Sequence, residues 1–260
     1  MELLKKTIKS GNASAVVLPK AWLNKQVRIE LVDKAPEEIL YEVLDSVKSI
    51  IDLQEIIGIY LVGSYARQDQ EDASDIDILI ISEKTNKEVI KAGNYEIMIV
   101  SLDLLAYKLR ENLLPIGAML KEAKPLLNNH FLKEIKIEVT KKNVKWYLDT
   151  TENSLKVIKH SIDKIEKKKP DGKLSDAIAY SLILRLRTLY MIDCLNKGKD
   201  YKKNDFLNKI KDISGSLTAY NRYIYAKNNK ENKRVLLLNE GKKLYEYLRD
   251  YLKKIRKSVK

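Results

Sequence analysis

Residues 56–81 read IIGIYLVGSYARQDQEDASDIDILII. An apolar, strand-like run ends at Gly63-Ser64, a polar stretch follows, and Asp75-Ile76-Asp77 heads a second apolar run. Two aspartates at i and i+2 on a strand point to one face of a sheet. Their carboxylates can therefore share one or two divalent cations. Upstream, Gly63 lets the backbone turn closely, and Ser64 and Tyr65 are placed to open a helix whose free N–H groups suit a phosphate. A phosphate cradle beside a carboxylate pair supplies what phosphoryl-type transfer requires: charge neutralisation and in-line placement of attacking and leaving oxygens.

Gly63-Ser64-x-Ala66-Arg67 followed by Ser74-Asp75-Ile76-Asp77-Ile78-Leu79-Ile80 resembles the signature of the DNA polymerase beta-like nucleotidyltransferase superfamily. It is most similar to the minimal nucleotidyltransferases and the kanamycin nucleotidyltransferase-like branch, over residues 36–128. The resemblance implies a small mixed sheet, a nucleoside triphosphate (ATP before the others), magnesium (two ions) and transfer of a nucleotidyl group to an acceptor. It assigns Asp75 and Asp77 to the metal, and Gly63 and Ser64, with Arg67 assisting, to the triphosphate. Gln68 stands where the family pattern has glycine. Glu96, early in the run Tyr95–Val100, takes the place of a third acid, as metal ligand or general base. The wider superfamily has Asp there, one methylene shorter.

The 260 residues are 45% hydrophobic, enough for two compact domains and a small appendage. Cys194 is the single cysteine, which excludes an internal disulfide, and its apolar helical surroundings mark it as a small buried hydrophobe. His130 and His160 lie far apart, so no zinc cluster is suggested. No apolar run approaches membrane-spanning length and no signal peptide is read, so a cytoplasmic, soluble protein is expected. The net charge of +13 is uneven: residues 1–140 hold 18 Lys and Arg against 22 Asp and Glu, residues 141–260 hold 31 against 14. That basic C-terminal half points to a polyanionic partner, either nucleic acid or an acidic protein.

The expected fold class is α+β, in three parts. Residues 1–33 form a short β element with strands at Leu4–Ile8, Ala15–Leu18 and Val27–Val32, a turn at Gly11-Asn12 and one helical turn near Trp22. The run Gly11–Leu23 resembles AbrB-type swapped hairpins, which implies a homodimer and a DNA-binding role. Residues 34–140 form the nucleotidyltransferase domain. It opens on a helix at Pro36, with Glu37 and Glu38 in its first turn as the helix dipole favours. Strands follow at Ile56–Val62, Ile76–Ile81 and Tyr95–Val100, with a helix or loop at 83–92 and a helix at Leu102–Asn112. Ile116–Leu127 reads as helical but interrupted at Pro125, and residues 131–139 as a strand or a run-in to the next helix.

Residues 141–260 read as a five-helix bundle: Asn143–Lys169, Leu174–Asn196, Asn204–Ile213, Ser216–Asn228 and Glu240–Lys257. A turn is read at Pro170-Asp171-Gly172 and a polar loop at 228–233. The second helix is apolar all round, which suggests a central position. Its Arg185 and Arg187 point to different sides, so at least one is expected at a cleft or a carboxylate. Tyr220 and Tyr223 are expected in the core. The bundle resembles HEPN-like helical domains, but the segment Arg222–Asn228 lacks the histidine of active HEPN ribonucleases. A DNA-binding regulator or antitoxin built on the transferase fold is the alternative to the enzyme.

Overall fold

The computed structural model describes residues 3, 5, 7–29, 34–70, 74–169, 172–227 and 235–259. The chain divides into two units, Met1–Ile50 and Ile51–Lys260.

In the first unit, β1 (Ile8–Ser10) pairs antiparallel with β2 (Ala13–Ala15), Ile8 opposite Ala15. Both strands abut the Gly11-Asn12 turn, with Gly11 at φ +61°. β2 is shorter than the apolar run suggested and shifted toward the turn, because a two-residue turn sets the register of the residues beside it; part of the first expected strand, at Leu4 and Lys6, lies outside the described residues. A single 3-10 turn covers Lys20–Trp22. Residues 27–29 carry no strand, and the rest of the expected third strand lies outside the described residues. Helix α1 (Pro36–Val47) starts at its proline, and Glu38 accepts a hydrogen bond from the Ala35 N–H at 3.2 Å.

The second unit begins with β3 (Ile56–Val62), α2 (Gly63–Arg67) and β4 (Ile76–Ser82). β5 (Lys87–Ala92), β6 (Tyr95–Ser101), α3 (Leu102–Glu111), α4 (Ile116–Glu122), β7 (Lys124–Leu127) and α5 (Asn129–Glu134) follow. The sheet has the order β5-β6-β4-β3-β7. β4 and β6 run parallel, and the other pairs are antiparallel. The central strands bury both faces, which is why they read as unbroken runs of Ile, Leu and Val. Tyr60, Val62, Leu79, Ile81 and Val100 form one face of the sheet and pack with Leu105 of α3 and with Ile116 and Leu120 of α4.

Two segments depart from the sequence reading. Residues 87–92 are a strand rather than a helix or loop. They form a hairpin with β6 through Gly93-Asn94, and Lys87, Glu88 and Lys91 give this edge the charges that discourage further pairing. Residues 124–127 are also a strand, and its Pro125 sits at the opposite edge, where a missing N–H costs little. The undecided stretch after it contains α5, capped by the Asn128 side chain, which accepts from the Phe131 N–H at 3.1 Å.

The remaining helices are α6 (Lys141–Lys168), α7 (Asp176–Asn196), α8 (Lys203–Ser214), α9 (Thr218–Lys227) and α10 (Leu238–Ser258). Each begins within three residues of its expected start. The turn expected at 170–172 falls partly outside the described residues, and the polar loop at 228–233 wholly so. α7 is buried along its length through Leu182, Ile183, Leu186, Leu189 and Ile192. The core it anchors extends without a break to Leu113, Leu114 and Val139 at the foot of the sheet half. Cys194 and Tyr223 are buried, and Tyr220 packs against the same core. Among the described residues, no helix is long and apolar enough to cross a membrane.

Phe206 is fully buried among the rings of Tyr190, Tyr201 and Tyr220, with centroids 5.5, 6.2 and 6.5 Å away. Phe206→Ala should therefore lower unfolding free energy by about 3–5 kcal/mol, read as a shift of the urea midpoint with an unchanged slope.

Candidate active site

The antiparallel register of β3 and β4 places Val62 opposite Asp77, so the chain leaves β3 beside that carboxylate. Gly63 turns there with φ +69°, and a Cβ on it would lie 1.9 Å from Asp77 Oδ2. Glycine is needed both for the backbone angle and for the space. The turn then forms the five residues of α2, with Ala66 buried, and ends at Gln68 in the left-handed region at φ 62°. Gln68 occupies the position where the motif has glycine, and the left-handed angle is the reason glycine suits it.

β4 and β6 run parallel with Asp77 directly beside Glu96. Side chains so paired share a face, here the face carrying Leu79, Ile81 and Val100. Asp75 is exposed and lies one residue before β4, close enough to act on Asp77 electrostatically. The Asp77 carboxyl is pushed up to about 6, first by burial, then by Glu96, with Asp75 and Glu122 adding and Arg67 opposing. This is a surplus of negative charge on hard oxygen donors, which fits a divalent cation. Among the described residues no group of three or more His, Cys, Asp or Glu side chains is arranged to hold an ion by itself. Magnesium commonly takes one or two carboxylates and completes its octahedron with water and phosphate oxygens.

Arg67 is engaged by the protein itself. Its Nη1 donates to Glu122 Oε2 at 2.7 Å and its Nε to Asp69 Oδ2 at 3.2 Å. Glu122 Oε1 also accepts the Gly63 N–H at 2.9 Å. The side chains of Arg67 and Glu122 are 17% and 14% exposed, so this is a largely desolvated pair. Burial raises the Glu122 carboxyl above its ordinary value, against the lowering pull of Arg67. Glu122 was not legible from sequence: Lys121-Glu122 at a helix end looks like solvated charge, and its partners lie 55 and 59 residues away.

Arg185 and Arg187 do diverge. Arg185 Nε and Nη1 donate to Ser154 Oγ at 3.1 Å and Thr150 Oγ1 at 3.2 Å. The Arg187 guanidinium lies 5.7 Å from the centroid of the Tyr201 ring, and the Arg67 guanidinium lies 5.5 Å from the same ring. Among the described residues neither arginine of α7 pairs with a carboxylate, so the expected internal salt bridge is replaced by hydroxyl and ring contacts.

Residues 40–179 match the family model of the nucleotidyltransferase domain, and the chain belongs to that family of transferase enzymes. Among solved structures it is similar to the spectinomycin adenyltransferase AAD(9) from Enterococcus faecialis, solved with ATP and spectinomycin. Identity is 19%, the match covers 82% of this chain and 99% of that one, and the TM-score is 0.42. No curated protein matches.

The upward shift of the Asp77 carboxyl makes stability depend on pH. With a folded-state midpoint of about 6 against an ordinary 3.8, the native protein holds a proton that the unfolded chain has released. Stability therefore falls as pH rises from about 4 to about 6 and stays reduced above that window. Each pH unit is worth about 1.4 kcal/mol, which caps the loss at about 3 kcal/mol. Asp77→Asn should be more stable than the parent above pH 6 and equal to it near pH 4, measured by denaturant titration without divalent cation. A constant difference across that range would contradict the charge crowding described here.

Proposed function

We propose that this nucleotidyltransferase moves a nucleotidyl group from a nucleoside triphosphate, ATP in the first place, to an acceptor bearing a nucleophilic oxygen. The acceptor oxygen attacks the α-phosphorus, the bond to the β-phosphate oxygen breaks, and pyrophosphate leaves. The observation that carries this reading is the alignment of Asp77 with Glu96 across parallel strands, beside a turn that only Gly63 can make.

Asp75 and Asp77 would hold magnesium, one ion or two. A bound cation would supply Lewis-acid neutralisation of the phosphate charge. The turn at Gly63 and Ser64 would receive the β- and γ-phosphates. Because the Gly63 N–H is bonded to Glu122, its contribution is the shape of the turn rather than a donor. Glu96 sits where it can take the proton of the attacking hydroxyl. Arg67, with two carboxylates on it, orders the end of the turn and adds to the field felt by the phosphates. Residues 34–140 would carry this chemistry, and the basic residues 141–260 would meet the acceptor, a small molecule or an acidic or nucleic-acid surface.

Residues 1–33 would serve assembly. Ile8, Val17, Leu23 and Ile29 are exposed, from 51 to 73%, and β1 and β2 hold only three residues each. Such a piece is too small to build a core of its own, which supports a homodimer formed through the hairpin, with DNA as a second partner. Removing residues 1–33 should turn a dimer into a monomer in light scattering and leave triphosphate binding unchanged. A monomeric full-length chain would contradict this.

The catalytic reading is tested by incubating the protein with α-labelled nucleoside triphosphates, magnesium and cell extract. Labelled product should form with ATP and vanish with chelator. Asp77→Asn and Asp75→Asn should each lower the rate by about a thousandfold, a metal-scale loss. Glu96→Gln should bind triphosphate nearly as the parent does and transfer about a hundredfold more slowly, as expected for loss of a general base. Parental rates in the aspartate variants would rule the mechanism out.

A further inference from the structure

Glu122 closes α4, and its two carboxylate oxygens reach the two ends of one short element. Oε1 accepts from the backbone of Gly63, the first residue of α2, and Oε2 accepts from Arg67, the last. One side chain thus pins the whole turn between β3 and the acidic strand β4. Asp69 takes the Arg67 Nε, so the guanidinium is fixed on two edges. The Arg67 guanidinium lies over the ring of Tyr201, on the connection between α7 and α8, 5.5 Å from its centroid, and the Arg187 guanidinium of α7 lies over the same ring at 5.7 Å. Glu122 and Tyr201 line the same shallow cleft between α4 and the bundle, with Ala118, Met191 and Leu195.

We infer that Glu122 is a positioning residue for nucleotide binding: it holds the Gly63–Arg67 turn in the shape that receives the triphosphate, while Tyr201 steadies Arg67 from the bundle side. The inference rests on the transferase reading given above. Glu122 stays in place when nucleotide binds. Both of its oxygens are bonded, and it and Arg67 are 14% and 17% exposed. A phosphate that displaced it would break a desolvated ion pair and leave a carboxylate without a partner near Asp77, where negative charge is already in surplus. The phosphates therefore use the donors of the turn that Glu122 leaves open.

The test is calorimetric titration of the full-length protein with magnesium and a non-hydrolysable ATP analogue, together with amide hydrogen exchange at Gly63. Glu122→Ala should weaken binding about tenfold or more and speed exchange at Gly63, since it removes two bonds to one turn, one of them charge-assisted. Glu122→Gln should fall between that variant and the parent, because its amide oxygen still accepts from Gly63 while Arg67 keeps only Asp69 as an anionic partner. Tyr201→Phe should bind like the parent, and Tyr201→Leu should bind several-fold more weakly, because only the ring covers Arg67. The titration stoichiometry reports the folded fraction, so a loss of fold is not mistaken for a change in affinity. If Glu122→Ala does not fold, Glu122→Gln and Tyr201→Leu carry the test. Affinities within about twofold of the parent in the Glu122 variants, or unchanged exchange at Gly63, would overturn the inference, as would tighter binding, which would make the carboxylate a competitor of the triphosphate. A parent protein that binds no nucleoside triphosphate would refute the transferase reading itself and this inference with it.

Discussion

Crowding of like charge around one turn is the constraint to which the rest of this site answers. Burial, Glu96, Asp75 and Glu122 all push the Asp77 carboxyl above its ordinary range and disfavour its charged form, and Arg67 is the cation that opposes them. Folding alone has no use for such an arrangement, since each added carboxylate makes the apo protein less stable at neutral pH. Groups pushed this far from their ordinary ionisation by burial and by neighbours of the same sign mark places where charge is to be met from outside. Under the function proposed above, the acidic cluster would take a cation and the adjoining turn an anion, which a metal–triphosphate complex would supply together.

The sheet makes that crowding unavoidable. A one-residue slip of the parallel ladder would turn Asp77 and Glu96 to opposite faces of the sheet. Both faces of β4 are buried, so the pairing with β6, rather than an apolar alternation, decides which acids meet. Gly63 completes the geometry by lacking an atom: any Cβ would stand on Asp77 Oδ2. The carboxylate and the turn can approach each other only because of that vacancy.

Much of this was legible before the fold was known, and the reason differs from element to element. β3, β4 and β6 announced themselves because their residues are buried on both faces and leave continuous apolar runs. The bundle helices were legible from their apolar periodicity, whereas the Thr140 cap, which accepts the Asn143 N–H at the start of α6, was not read. β5 and β7 were not, since an edge strand needs little apolar content and its identity comes from the neighbour it pairs with. Lys-Glu-Val-Ile-Lys suits a helix equally well until Tyr95–Ser101 supplies the ladder. In the candidate site, Gly63, Ser64, Arg67, Asp75 and Asp77 lay together in 26 residues of sequence, with Glu96 on a later strand. Glu122, which holds them, came from a helix end far along the chain.

That division reflects how such a site is built. Most of the candidate groups sit on one strand–turn–strand unit, and Glu96 joins them from the neighbouring strand β6. The groups that hold the unit can come from any surface packed against it. In this chain they come from α4 and from the α7–α8 connection, both resting on the core shared by the sheet half and the bundle. Arg67 stands at the junction: its position in the motif puts it on the turn, its hydrogen bonds tie it to Glu122, and its face lies against Tyr201. An arginine suits this place and a lysine does not. A planar guanidinium can donate along two edges to two carboxylates while presenting a flat face to a ring, and an ammonium group offers neither the fork nor the face. The motif arginine is therefore the element through which the helical bundle and the nucleotide-facing turn are joined.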